Sequence, residues 1–195
     1  MPGILVSASL FLSLAIGSMH PGSPRAAANA ASGTDARPAQ IILFRHAEKP
    51  ANENDPHLSK AGRARAQRLV GYISGDAEVM KFGRPVALFA TATNRHDGGV
   101  RTQETIAPLA ASLKLKVRTP YLGQDYEKLA RAILNDAALA GKTVVICWRH
   151  EELAALAGAL GVRPVPPDWK GGDYQSVWIV RYDGNKARLI SQTAP

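Results

Sequence analysis

The chain has 195 residues, 46% hydrophobic and 21% charged, with 17 glycines and 13 prolines, a balance that excludes a wholly disordered chain, a collagen and a coiled coil. Its one cysteine, Cys147, excludes an internal disulfide framework and a thiolate zinc cluster, so stability has to come from an ordinary packed core. Lys and Arg total 24 against 16 acids, and the net charge of +8 points to anionic partners without choosing among phosphorylated small molecules, nucleic acid and anionic membrane.

From the N-terminus, Ile4 to Ile16 is apolar apart from serines and is followed by a Pro/Gly/Ser stretch and an alanine-rich stretch ending Ala28-Asn29-Ala30. This pattern reads as a secretory signal over 1–30 with a small-x-small cleavage site, followed by a flexible linker over 31–39 and one domain over 40–195. The run is too short for a stable membrane span, which needs about 20 residues. The expected location is therefore periplasmic or secreted, although Met1-Pro2-Gly3 lacks the usual positive charge; a start at Met19 would instead give a cytoplasmic protein.

Strand-like and helix-like patterns alternate from Gln40 onward. Gln40 to Phe44 is a short apolar strand, and Arg45 to His57 a polar loop. Leu58, Gly62, Ala66, Leu69 and Ile73 recur at helical spacing, with Ser59 placed to cap that helix. Val86 to Ala90 forms the second strand, and a polar loop runs to Gly99. Ile106, Leu109, Ala110 and Leu113 then mark a helix that Pro108 should enter in the first turn or kink. A short strand over Lys116 to Thr119, a helix over Tyr126 to Leu134 and a strong strand over Thr143 to Trp148 follow. Leu153, Leu156, Ala157 and Leu160 predict another helix, closed by Gly161. Ser176 to Tyr182 and Ala187 to Ser191, joined through Asp183-Gly184-Asn185, read as a hairpin. The expected fold is an α/β/α sandwich of three layers, with a mostly parallel central sheet and a C-terminal antiparallel hairpin.

Such sheets bind ligands at the carboxyl ends of their strands. There the sequence places Arg45-His46, Arg101 and Arg149-His150. Two histidines and at least one well-placed arginine at one sheet edge make a cationic pocket for a phosphoryl group, because a guanidinium can grip two phosphate oxygens at once. A neutral imidazole there can attack phosphorus, and fixed cations can stabilise the transferring oxygens without a metal.

Four elements occur in one order: Leu43-Phe44-Arg45-His46-Ala47-Glu48-Lys49-Pro50, Leu58-Ser59-x-x-Gly62-x-x-Arg65-Ala66, Arg101-Thr102-x-Glu104-Thr105, and His150 after an apolar strand. Together they resemble the histidine phosphatase superfamily, which includes the phosphoglycerate mutase-like enzymes, over Ile41 to about Ile179. The resemblance implies that family's α/β sandwich. It implies His46 as the nucleophile that becomes phosphohistidine, Arg45 and Arg101 as the phosphate grip, and His150 as the residue completing the pocket. It also makes Glu151 the first choice for the general acid, with Glu48 and Glu127 as alternatives; Glu151 and Glu152 at a helix start would equally complement the helix dipole.

Two departures stand out. The loop Thr91 to Gly99 is long and offers Arg95 as a rival to Arg101, and His150 lacks the glycine that commonly follows it. Lys49 adds charge at the entrance, and Cys147 reads as a small buried hydrophobe. No close pair of metal-ligand histidines occurs, and the dispersed basic residues carry no base-stacking motif, so neither a metal cofactor nor a nucleic-acid partner is expected. The expected activity is hydrolysis of phosphate monoesters on small molecules or at a surface. Protein phosphohistidine hydrolysis in the cytoplasm and non-catalytic binding of phosphate or polyanion are the alternatives.

Overall fold

The computed structural model describes Gly3 and residues 37–52, 54–93 and 99–194. The signal segment at 1–30, most of the linker at 31–39, and Arg95 and His96 lie outside the described residues.

Strict alternation along the central strands builds the core as two halves. In β1 (Gln40–Arg45) and β4 (Thr143–Trp148) every residue is buried. Ile41, Leu43, Val144, Ile146 and Trp148 face one side, and Ile42, Phe44, Val145 and Cys147 the other. Neither face of these strands meets water, which explains why both read as continuous apolar runs. The first side is covered by α3 (Tyr126–Leu134) and α4 (His150–Ala159), the second by α1 (Lys60–Gly75) and α2 (Val100–Leu113). With β2 (Pro85–Ala90), β3 (Val117–Arg118), β5 (Ser176–Asp183) and β6 (Lys186–Thr193), the sheet has the order β3-β2-β4-β1-β5-β6. The first four strands in that order run parallel, and β5 and β6 are antiparallel. This is the expected three-layer sandwich with its terminal hairpin. Among the described residues no helix is long and apolar enough to cross a membrane.

Local chemistry sets most boundaries as expected. The Ser59 hydroxyl accepts from the Gly62 amide and starts α1, and Gly161 takes φ 99 just beyond α4, a conformation in which a β-carbon would be strained. Two elements differ from expectation. The hairpin is longer and closes through a two-residue turn, Gly184-Asn185, with Asp183 paired to Lys186. Pro108 lies in the interior of α2, because the polar segment from Val100 to Glu104 is already helical. A proline there removes the amide that would bond the Glu104 carbonyl.

Parallel pairing of β1 with β4 puts Arg45 opposite Trp148. The residues that leave these strands, His46 on one and Arg149-His150 on the other, therefore emerge side by side at the carboxyl edge of the sheet.

Candidate active site

A cavity of about 340 Å³ opens at that edge, lined by Arg45, His46, Lys49, Arg101, His150, Glu151, Gly171 and Tyr174. Among the described residues, all six of those proposed from sequence line it; the seventh, Arg95, lies outside the described residues. Arg45 and His46 come from the end of β1, Arg101 from the first turn of α2, and His150 and Glu151 from the first turn of α4. Arg149 stands at the carboxyl edge where the sequence places it but does not line the cavity. Its guanidinium turns to Glu152, at 3.4 Å, and Glu151, at 3.7 Å, and its stem packs where a β-carbon on Gly123 would sit.

His46 is only 8% exposed, and its Nδ1 lies 2.7 Å from the Ala47 carbonyl. A carbonyl can only accept, so Nδ1 carries the proton and Nε2 is left with its lone pair. Burial, with the charges of Arg45, Arg101 and His150, outweighs that hydrogen bond and brings the pKa of His46 down to about 4. The ring is thus neutral over the whole range in which it would act as a nucleophile.

This depression has a consequence for stability. The unfolded chain, with an ordinary imidazole, takes up a proton near pH 6.5, while the folded chain resists until about pH 4. Stability linked to His46 is therefore complete above pH 6.5 and is lost as the pH falls toward 4. Between pH 7 and 4.5, urea denaturation should show wild type losing roughly 2–3 kcal/mol more than His46→Gln. Equal losses would refute the depressed value.

Arg45 is the centre of the polar network. Its Nη1 donates to the Gly171 carbonyl, its Nη2 lies 3.3 Å from His150 Nδ1, and its Cζ stands 4.1 Å from the centroid of the Tyr174 ring. His150 Nδ1 also lies 3.1 Å from Glu151 Oε2. Arg45 can only donate and the carboxylate only accept, so one nitrogen cannot serve both at once. Burial and the Arg45 charge lower the His150 pKa, which favours the neutral ring accepting from Arg45. Protonation of His150 would turn the same nitrogen toward Glu151. The rings of His46 and His150 meet edge to face, with centroids 6.3 Å apart.

Arg45 Nε and Arg101 Nε are buried with no hydrogen-bond partner among the described residues. Buried guanidinium donors are costly to leave unpaired. Both belong to residues that line the cavity, and a guanidinium suits an oxyanion in charge and shape.

Of the three candidate acids, Glu151 alone lines the cavity. Glu48 is engaged by Arg65, whose Nε donates to Oε1 at 2.8 Å, and Glu127 is exposed on α3. Burial pushes the Glu151 carboxyl up, but its own backbone amide and the neighbouring His150, Arg149 and His46 outweigh it and hold the pKa below the usual range. His57 is not a cavity residue; it is exposed and bonded through Nδ1 to Glu104 at 2.5 Å. Cys147 is fully buried, and burial pushes its thiol pKa well up, as expected of an inert core cysteine.

Sequence reasoning missed Gly171 and Tyr174. They sit in an irregular segment before β5 that is pinned by Asp173, whose Oδ1 accepts from the Gln175 and Ser176 amides. The Gly171-Gly172-Asp173-Tyr174 string signals a turn, but nothing in it says that the turn folds back over Arg45.

No family model and no curated protein sequence matches the chain. Solved structures do. A protein from Agrobacterium tumefaciens assigned as the phosphohistidine phosphatase SixA is 17% identical with a TM-score of 0.51, covering 81% of this chain and 99% of that one. The ecdysone phosphate phosphatase EPPase from Bombix mori, solved with tungstate, is 13% identical with a TM-score of 0.55, covering 80% and 93%. A protein from Escherichia coli assigned as an alpha-ribazole-5'-P phosphatase is 14% identical with a TM-score of 0.51, covering 80% and 96%. The fold of this chain is thus the α/β sandwich that these phosphatases share, as the resemblance to the histidine phosphatase superfamily implies.

Proposed function

We propose that the chain is a metal-independent phosphatase that hydrolyses phosphate monoesters through a phosphohistidine on His46. The observation that carries this reading is the convergence of Arg45, Arg101 and His150 on one cavity around a neutral imidazole whose Nδ1 is tied to the Ala47 carbonyl. The guanidinium groups hold the phosphoryl oxygens and leave Nε2 of His46 to attack phosphorus in line with the departing ester oxygen. The N–P bond forms as the P–O bond breaks, and the leaving oxygen takes its proton from the Glu151 carboxyl. In the second half, the Glu151 carboxylate removes a proton from water as it attacks phosphorus, the P–N bond breaks, and neutral His46 returns.

Glu151 is held as a carboxylate by its surroundings, so it must gain its proton when substrate binds. The charge of a bound phosphate opposes the surrounding cations and raises the carboxyl pKa. His150, drawn toward protonation by the same anion, completes the cage. Support from outside the chain is the shared fold, including the Bombix mori phosphatase, whose structure holds tungstate, an oxyanion.

Purified protein incubated with an aryl phosphate and excess chelator should turn over and accumulate one acid-labile, alkali-stable phosphoryl group on His46 after rapid quenching. Phosphate binding without turnover or label would instead identify a non-catalytic phosphate receptor. A phosphohistidine peptide assayed in parallel tests the alternative leaving group that the Agrobacterium tumefaciens assignment suggests.

A further inference from the structure

Thr105 lies outside the cavity and is 1% exposed, yet its hydroxyl joins two of the chain segments that supply the pocket. It accepts from the Ala47 amide at 2.8 Å and donates to the Arg101 carbonyl at 2.7 Å. A hydroxyl has one proton and two lone pairs. With the proton on the Arg101 carbonyl, a lone pair is free to receive the Ala47 N–H. The two partners lie next to His46 and on Arg101 itself.

The link to His46 is direct. The peptide unit of Ala47 is held at its amide by Thr105, and the carbonyl of the same residue receives the His46 Nδ1 proton. Displacing Ala47 moves the acceptor that decides which imidazole nitrogen is unprotonated. The bond to Arg101 is the ordinary backward bond of a helical threonine; the bond to Ala47 reaches across 58 residues and has no helical explanation.

We propose that Thr105 is a positioning residue, whose hydroxyl sets the His46 tautomer and the distance from His46 to Arg101 through Ala47. The inference rests on the phosphatase reading for its kinetic consequence, but its test by the His46 tautomer does not. Thr105→Val keeps the shape and removes the hydroxyl, and Thr105→Ser keeps the hydroxyl. Imidazole ¹⁵N spectra of wild type and Thr105→Ser should show His46 in the single Nδ1–H tautomer, and Thr105→Val should show both tautomers. With an aryl phosphate, kcat of Thr105→Val should fall about 10- to 100-fold with KM within about threefold, the size expected from misplacing a reacting group by about an ångström, and Thr105→Ser should restore it.

A folded Thr105→Val protein with one Nδ1–H tautomer overturns the proposal whether or not the chain is a phosphatase. Loss of turnover in wild type with the tautomer pattern as described would overturn only the phosphatase reading. If Thr105→Val does not fold, Thr105→Ala replaces it. If neither folds, hydrogen exchange in wild type decides, because an Ala47 amide exchanging as fast as an unprotected one refutes the bond.

Discussion

His46→Ala should lower kcat on an aryl phosphate by about four orders of magnitude or more, the scale seen when a nucleophile acting with its partners is removed. Inorganic phosphate should still bind, because the guanidinium groups of Arg45 and Arg101 still line the cavity. The two readouts separate the roles. Among the described residues, the imidazole is the only cavity nucleophile held neutral with Nδ1 committed to a carbonyl, whereas the charge that attracts phosphate lies on other side chains. Steady-state kinetics and calorimetric phosphate titration check both halves. Residual turnover within about tenfold of wild type would remove His46 from the chemistry, by the same reasoning that a nucleophile is not a dispensable member of such a set.

Arg101→Ala should cost about 10³-fold in kcat/KM, in line with loss of a buried donor that faces the charge of the transferring phosphoryl group. Arg101→Lys should recover little of it. The Arg101 Nη1 donates to the Asp55 carbonyl at 3.1 Å while the residue also lines the cavity, and an ammonium lacks the planar fork that can serve two fixed directions. Arg95→Ala is the informative comparison, because Arg95 is the sequence rival. A loss from Arg95→Ala that equals the loss from Arg101→Ala would transfer the phosphate grip to the Thr91 to Gly99 loop. A loss confined to a few-fold would leave Arg95 at the periphery of the site.

The motif residues that do not reach the cavity explain why so much of the site was readable. In Leu58-Ser59-x-x-Gly62-x-x-Arg65-Ala66, the Ser59 amide donates to the Glu48 carbonyl at 2.9 Å, and Arg65 bonds the Glu48 carboxylate. A β-carbon on Gly62 would collide with that Glu48 carbonyl and lie 3.0 Å from its amide nitrogen. Ala66 and Leu58 pack with Ala47. Each of these residues therefore supports the backbone from Ala47 to Lys49, so the spacing carries information about the nucleophile without touching substrate. Glu104 does similar work on the opposite side, accepting from the Leu58 amide and meeting His57. Glu48, a reasonable acid when read in sequence, stands in this frame with Oε1 bonded to Arg65.

What the amino-acid sequence determined by itself was the order of strands and helices, the two-faced burial of the central strands, and the pairing of arginine with histidine at strand ends. These follow from local periodicity and from the rule that parallel sheets bind ligands at their carboxyl edge. Tertiary structure alone decided which of the adjacent side chains entered the cavity. Arg149 and His150 are neighbours in the chain, yet only His150 lines the pocket, because Glu152 and the space beside Gly123 draw Arg149 away. Tyr174 and Gly171 reach Arg45 across more than 120 residues. No local pattern encodes contacts of that range, since they arise from where the packed layers bring distant segments together.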